Sequence, residues 1–258
     1  METEIETQER IKREQDFHNK RFGESDEVRA PTSKYYAVMR PVKDRYKQMI
    51  ADSCAGKRIL EYGCATGGTT FSWARRGAKV VGIDISDEAV RIANESAKEQ
   101  GLDVAFAVMN AEALEFPAKH FDMVVGTGIL HHLDLKKSYS ELARVLDEGG
   151  VALFIEPMGH NPLINLYRKL TPKMRTDDEH PFKMSDIRLA QQYFRKVDVE
   201  YYNFLTLLTI PFRNWEAYPK ILGFANGLDQ LLFRLLPFTK RWAWMVILKF
   251  SEPSQTNR

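Results

Sequence analysis

The 258-residue chain contains two cysteines, Cys54 and Cys64, which do not stand at the spacing of a metal knuckle. A disulfide framework is excluded as an organising device, and a reducing cytoplasm is the default expectation. No apolar run reaches the ~18 residues that a membrane-spanning helix needs. The opening METEIETQERIKREQ is charged throughout and lacks the apolar stretch of a secretory leader. Excess charge of one sign is missing as well: Lys+Arg total 37 against 35 Asp+Glu, a net +2. A nucleic-acid-binding surface needs a concentrated basic face, and the most basic stretch, RKLTPKMR at 168–175, runs straight into Asp177, Asp178 and Glu179. Repeats and low-complexity segments are absent. These absences predict a cytoplasmic, soluble protein with no nucleic-acid partner and no metal, touching a membrane at its surface at most.

Hydrophobic residues make up 44% of the chain and charged residues 28%, a composition that supports a real core. Residues 4–22 read as a charged helix ended by Gly23. A second helix is expected after Pro31, reaching about Asp52 with Pro41 as an interior break. From Lys57 onward, apolar strands alternate with helices. KRILEY, KVVGIDI, VAFAVMN, FDMVVGTG and VALFIEP read as strands. Between them lie TTFSWARR closed by Gly77, a helix capped by Ser86 and ended by Gly101, and SYSELARVL. Helical crossovers of this length imply parallel strand pairing in an α/β sandwich. A helix from Ser185 and two further strands, KVDVEYYNF and WAWMVILKF, follow. The segment 205–241 between those last strands is too long for a tight connection and is rich in Leu, Phe and Trp. It reads as an apolar helical insertion, either a cap over the sheet or a lid that meets substrate, membrane or partner. The expected division is a helical extension over 1–52 and a main domain over 53–258.

Three features fall at the carboxyl ends of consecutive strands, where open α/β sheets bind ligands. ILEYGCATGG (59–68) places Gly63 and Gly67 where backbone must turn and approach a ligand. Asp84 ends the second strand 21 residues after Gly63, the distance at which an acid takes up ribose hydroxyls. Asn110, Ala111 and Glu112 follow the third strand. A dinucleotide site shares the first two features. Glu61 discriminates, because a carboxylate there repels a pyrophosphate but attracts an amino group and a sulfonium.

Taken together, ILEYGCATG, VVGIDIS, MNAEALEF with FDMVVGTGILHHLD, and LDEGGVALFIEP resemble the class I S-adenosylmethionine-dependent methyltransferases, most strongly over residues 57–157. The resemblance implies a three-layer sandwich around a seven-stranded, mostly parallel sheet whose last strand is antiparallel. It also implies S-adenosyl-L-methionine as cofactor. Glu61, Gly63, Cys64, Ala65 and Gly67 would serve its methionine end, Asp84 and Ile85 its ribose and adenine face, and Asn110, Ala111 and Glu112 its adenine. Gly126, Thr127 and Gly128 would form the shelf beneath the sulfonium. Two positions depart from the family pattern. Ala65 replaces the usual middle glycine, which a negative φ would allow, and Asn110 replaces the commoner aspartate.

Methyl transfer needs an aligned acceptor and, for a hydroxyl, a base near neutral pKa. His131 and His160, which follow the fourth and fifth strands, are the catalytic candidates. His18, Tyr35, Tyr36, His132, Glu156 and Asn161 are candidates for acceptor contact. Adjacent side chains diverge, so at least one of His131 and His132 is expected to be structural. The balanced charge and the apolar insertion favour a small, hydrophobic acceptor, with transfer to oxygen ahead of nitrogen or carbon. Two readings compete with this one: a domain that binds S-adenosylmethionine for a rearrangement or for regulation, and a nicotinamide-dependent reductase.

Overall fold

The structure, a computed structural model, describes residues 4–23, 37–170 and 180–254. Seven strands form one sheet: β1 Arg58–Tyr62, β2 Lys79–Asp84, β3 Ala105–Val108, β4 Phe121–Thr127, β5 Leu146–Pro157, β6 Phe194–Tyr202 and β7 Met245–Pro253. Their order is β3-β2-β1-β4-β5-β7-β6. The pairs among β1 to β5 are parallel, while β7 runs antiparallel between β5 and β6. The expected seven-stranded, mostly parallel sheet is the one observed. Chain order reverses between β1 and β4, so the loops leaving their carboxyl ends turn to opposite faces and open a crevice.

The period-two alternation of the strands sorts their side chains into two apolar layers. Ile59, Val80, Met123 and Val125 face one layer, where helix α2 (Arg40–Ala51) packs through Val42, Tyr46 and Ile50. Leu60, Tyr62, Val124 and Phe154 face the other, beneath α5 (Leu135–Val145) and α7 (Met184–Ala190). Each fully buried Leu, Ile or Phe contributes on the order of 1.5–3 kcal/mol. Helices α3 (Gly68–Ala74) and α4 (Asp87–Glu99) cover β2 and β3, and α6 (Pro162–Leu170) follows β5. Ser86 caps α4 as expected, accepting the Ala89 amide at 3.1 Å.

Pro41 corrects one expectation. It stands in the first turn of α2, where no intrahelical acceptor awaits its missing N–H, and so starts the helix where an interior break was expected. Helix α1 (Glu4–Gly23) lies against α4. Tyr35 and Tyr36 lie outside the described residues.

The insertion is helical: a 3-10 segment over Leu205–Phe212, helix α8 (Tyr218–Leu235), and a second 3-10 segment over Pro237–Trp242. Its attachment is polar and buried. Asp229 of α8 accepts backbone N–H groups from Phe204 (3.0 Å), Leu205 (2.6 Å) and Thr206 (3.3 Å), and the Thr206 hydroxyl (3.1 Å). Asn203 adopts φ +63 and donates to the Val38 carbonyl at 2.7 Å, tying the insertion to the segment before α2. Burial raises the Asp229 pKa, and these four donors offset part of that shift. Asp229→Ala strands the donors in the interior. It is expected to lower stability by about 2–4 kcal/mol, read as the urea midpoint. An unchanged midpoint would show that the clamp contributes nothing.

Candidate active site

The loop after β1 is shaped by three left-handed residues, of which Gly63 has φ +64. Gly67 has φ +82, and a Cβ there would come within 2.8 Å of both Phe71 and Phe106. Ala65 has φ +48, which corrects the expected negative angle. The left-handed region costs a non-glycine residue about 1–2 kcal/mol. A hydrogen bond accompanies the strain: the Ala65 amide donates to Asp84 Oδ2 at 2.9 Å, while Asp84 Oδ1 accepts the Ser86 amide at 2.9 Å. One carboxylate thereby joins the β1 loop to the end of β2.

Above this junction lies a cavity of about 250 Å³. Of the expected cofactor residues, Gly63, Ala65, Asp84, Ile85, Asn110, Ala111, Glu112 and Thr127 line it, with Gly128. Three others stand behind the lining. Glu61 is buried and accepts the Thr70 hydroxyl. Its carboxyl is pushed up to about 7, chiefly by burial, with the Asp84 charge adding and the Thr70 hydrogen bond opposing. Cys64 turns into an apolar cluster with Phe71, Val90 and Phe106, and burial pushes its thiol pKa up, which suits packing and not nucleophilic chemistry. Gly67 opens α3. Gly126 closes the shelf from below, its carbonyl accepting the Tyr46 hydroxyl at 3.1 Å.

Helix α1 forms the roof. Arg10 Nη2 donates to both oxygens of Glu112 (2.7 and 2.9 Å), and its Nη1 donates to the His132 carbonyl (3.3 Å). Gln15 donates to the Ile85 carbonyl at 3.0 Å, and Ser86 donates to Asn19 at 2.6 Å. The Glu112 carboxylate also accepts the Asp134 amide at 2.8 Å, so it is committed to holding helix and loop together. Arg10 and Glu14 were not anticipated. With His18 they recur every four residues on one helix face, but such a face in a charged helix ordinarily meets water.

The two adjacent histidines do not diverge as expected: their rings lie 4.2 Å apart, tilted by 37°, and it is their partners that differ. His131 is buried, its Nδ1 2.7 Å from Glu156 Oε2. Glu156, fully buried at the end of β5, also accepts the Ile129 and Leu130 amides at 3.0 and 2.8 Å, fixing the turn that carries both histidines. His132 lines the cavity, its Nδ1 3.4 Å from Glu14 Oε2. His18 Nε2 stands 3.5 Å from the same oxygen. One donor atom from each of Glu14, His18 and His132 lies within 4.8 Å of the others, within reach of one divalent ion. His160 and Asn161 do not line this cavity among the described residues. Asn161 instead caps α6, accepting the Leu163 and Ile164 amides and donating to the Trp242 carbonyl at 2.6 Å.

The donor set suits S-adenosylmethionine better than a dinucleotide. Asp84 offers acceptors for vicinal hydroxyls, and Ile85, Met109 and Ala111 offer apolar walls for a base. Among the described lining residues Arg10 is the only Lys or Arg, and Glu112 already pairs with it. A pyrophosphate would therefore face Asp84, Glu112 and Glu14 without a free counter-charge.

The comparisons agree with this geometry. Residues 59–150 match the methyltransferase domain family. Over this part the chain is similar to S-adenosylmethionine-dependent methyltransferases. It is 34% identical over 114 residues to aklanonic acid methyltransferase DauC of Streptomyces sp. strain C5, covering 42% of this chain and 52% of that protein. It is 32% identical over 139 residues to the ubiquinone biosynthesis O-methyltransferase of Nitrosococcus oceani, covering 50% and 58%. The matched region thus spans little more than half of either relative. The fold also matches the PH0226 protein of Pyrococcus horikoshii, with TM-score 0.54 and 20% identity over 89% of this chain and 92% of that one.

Two measurements check the floor of this site. Ala65→Gly relieves a left-handed residue and is expected to leave the thermal midpoint unchanged or raised, whereas Ala93→Gly inside α4 costs about 1 kcal/mol. A drop at residue 65 equal to that at residue 93 would contradict the strain. For Glu61, the folded pKa of about 7 lies above its ordinary value of 4.5. Its contribution is therefore most favourable below that ordinary value and is lost as pH rises through about 7. The ligand-free protein is expected to lose stability between about pH 5 and pH 8, with a shallower loss in Glu61→Gln. Parallel profiles would refute the assignment.

Proposed function

We propose that this protein transfers a methyl group from S-adenosylmethionine to a small, apolar acceptor, with a hydroxyl oxygen as the favoured site, in the cytoplasm. The observation that carries the reading is the lining of the cavity. Asp84, held by two loop amides, faces the glycine-shaped β1 loop, and among the described lining residues no free phosphate-binding cation stands beside it. The relatives' names, an aklanonic acid methyltransferase and a ubiquinone biosynthesis O-methyltransferase, support a small-molecule acceptor and transfer to oxygen.

Bound S-adenosylmethionine supplies both the methyl group and the leaving group. The chain's own part is to bind, align, exclude water and take a proton. Asp84 accepts the ribose hydroxyls, and Glu61, charged once paired, attracts the amino group. Roofing by α1 excludes bulk water, which strengthens those charge interactions. The proton-accepting role moves from His131 to its neighbour, because His131 is turned toward Glu156 while His132 lines the cavity beside Glu14. As the acceptor oxygen gains the methyl, His132 takes the hydroxyl proton and Glu14 stabilises the imidazolium. His131 and Glu156 then act as positioning residues that set the His132 turn, and His18 closes the same wall. His160 would meet only an acceptor that extends past the described cavity.

Incubation with methyl-labelled S-adenosylmethionine and a panel of hydroxylated aromatic compounds is expected to move label into an organic-soluble product. Tight cofactor binding with no label ever leaving it would favour the rearrangement or regulatory reading. His132→Ala is expected to lower turnover by roughly 10²-fold or more while cofactor affinity stays within a few-fold. Turnover unaffected by His132→Ala would remove the residue from this role. Treatment with EDTA is expected to leave turnover unchanged; a loss restored by Zn²⁺ would turn Glu14, His18 and His132 into metal ligands instead.

A further inference from the structure

Helix α8 carries two apolar stripes. Leu222, Ala225 and Phe233 recur at helical spacing with the buried Asp229 and pack inward. Phe224, Leu228, Leu231 and Leu235, spaced i, i+4, i+7 and i+11, lie on the opposite side and face water, with Phe224 at 71% and Leu235 at 64% exposure. A soluble helix needs only the first stripe. The flanking 3-10 segments and turn add Leu208, Trp215 and Phe238, each about 60% exposed. Exposed apolar surface of this extent marks an interaction face.

Charge distinguishes among the occupants. Between 205 and 241 stand five cations, Arg213, Lys220, Arg234, Lys240 and Arg241, and two acids, Glu216 and Asp229. Asp229 is buried in the clamp, so only Glu216 faces solvent. The whole chain carries +2, so this segment concentrates positive charge that the remainder balances. On the α8 wheel Lys220 and Arg234 flank the outward stripe on one side. A two-fold dimer through this stripe would set the same cations against their own copies. An anionic bilayer instead accepts both parts of the pattern, the apolar ridge in the acyl boundary and the cations at the headgroups. Placement agrees with this occupant. The insertion leaves the sheet at the carboxyl end of β6 and returns at the start of antiparallel β7, beside the carboxyl end of β5. That is the same carboxyl end of the sheet whose loops after β1, β2, β3 and β4 line the cavity.

We propose that the outward face of the insertion, centred on Phe224, Leu231 and Leu235 and flanked by Lys220 and Arg234, docks this protein onto an anionic lipid surface. The carboxyl end of the sheet, which carries the cavity, then lies near the phase in which an apolar acceptor partitions. The docking stands independently of the transfer reaction, because its readout is vesicle binding.

The test is flotation of the full chain with vesicles of phosphatidylcholine alone and of phosphatidylcholine with about 30% phosphatidylglycerol. The protein is expected to float with the second and not the first, and to be released by about 0.5 M salt. The variant Phe224→Ser/Leu231→Ser/Leu235→Ser is expected to lose vesicle binding by at least about tenfold. Lys220→Glu/Arg234→Glu is expected to lose the phosphatidylglycerol preference. Circular dichroism and S-adenosylmethionine titration on each variant confirm that fold and cofactor site persist. Failure to float with phosphatidylglycerol, or equal binding to both vesicles, would overturn the proposal. So would a wild-type dimer, seen by light scattering, that the triple substitution dissociates, since the covering surface would then be a second copy. Failure of this test would leave the labelling result intact, and the reverse also holds.

Discussion

The Asp84 carboxylate is the interaction on which the site depends. It stands at the end of β2, next to β1, where the chain order of the sheet reverses, and accepts one amide from each of the two loops leaving that edge. Those hydrogen bonds hold Ala65 in a left-handed conformation that an alanine would not adopt alone. They also aim the carboxylate along the cavity edge. The sheet beneath is rigid because its side chains are packed from both faces by α2, α5 and α7. A rigid floor lets a short loop be placed within hydrogen-bonding distance of a ligand.

Charge is handled by pairing above that floor and by burial beneath it. Arg10 and Glu112 close the roof through a paired contact, and Glu156 gathers two amides and the His131 ring at one fully buried point. Glu61 is buried with the Thr70 hydroxyl as its one hydrogen-bond donor among the described residues, and burial raises its pKa. A cation arriving beside it would restore the charge. Proton release on binding follows from that sign.

Much of this was legible in the sequence. Strand and helix alternation gave parallel pairing, and the acid 21 residues after Gly63 lines the cavity. Ser86 announced its helix by being a capping residue before Asp87 and Glu88. Other parts were not legible because they are long-range. The sign of φ at Ala65 depends on a carboxylate 19 residues away, and Glu14 reads as solvated until the cavity is seen beneath α1. The choice between His131 and His132 turned on Glu156, a partner on another strand. The place of Pro41 is not legible either, because a proline inside a helical pattern and a proline starting a helix differ only in where the preceding residues go.

The most direct test of the account is isothermal titration of the purified chain with S-adenosyl-L-methionine and with NAD under the same conditions. The account predicts saturable binding of S-adenosyl-L-methionine, its loss in Asp84→Ala, and no heat from NAD. Tight NAD binding with no response to S-adenosyl-L-methionine would contradict it.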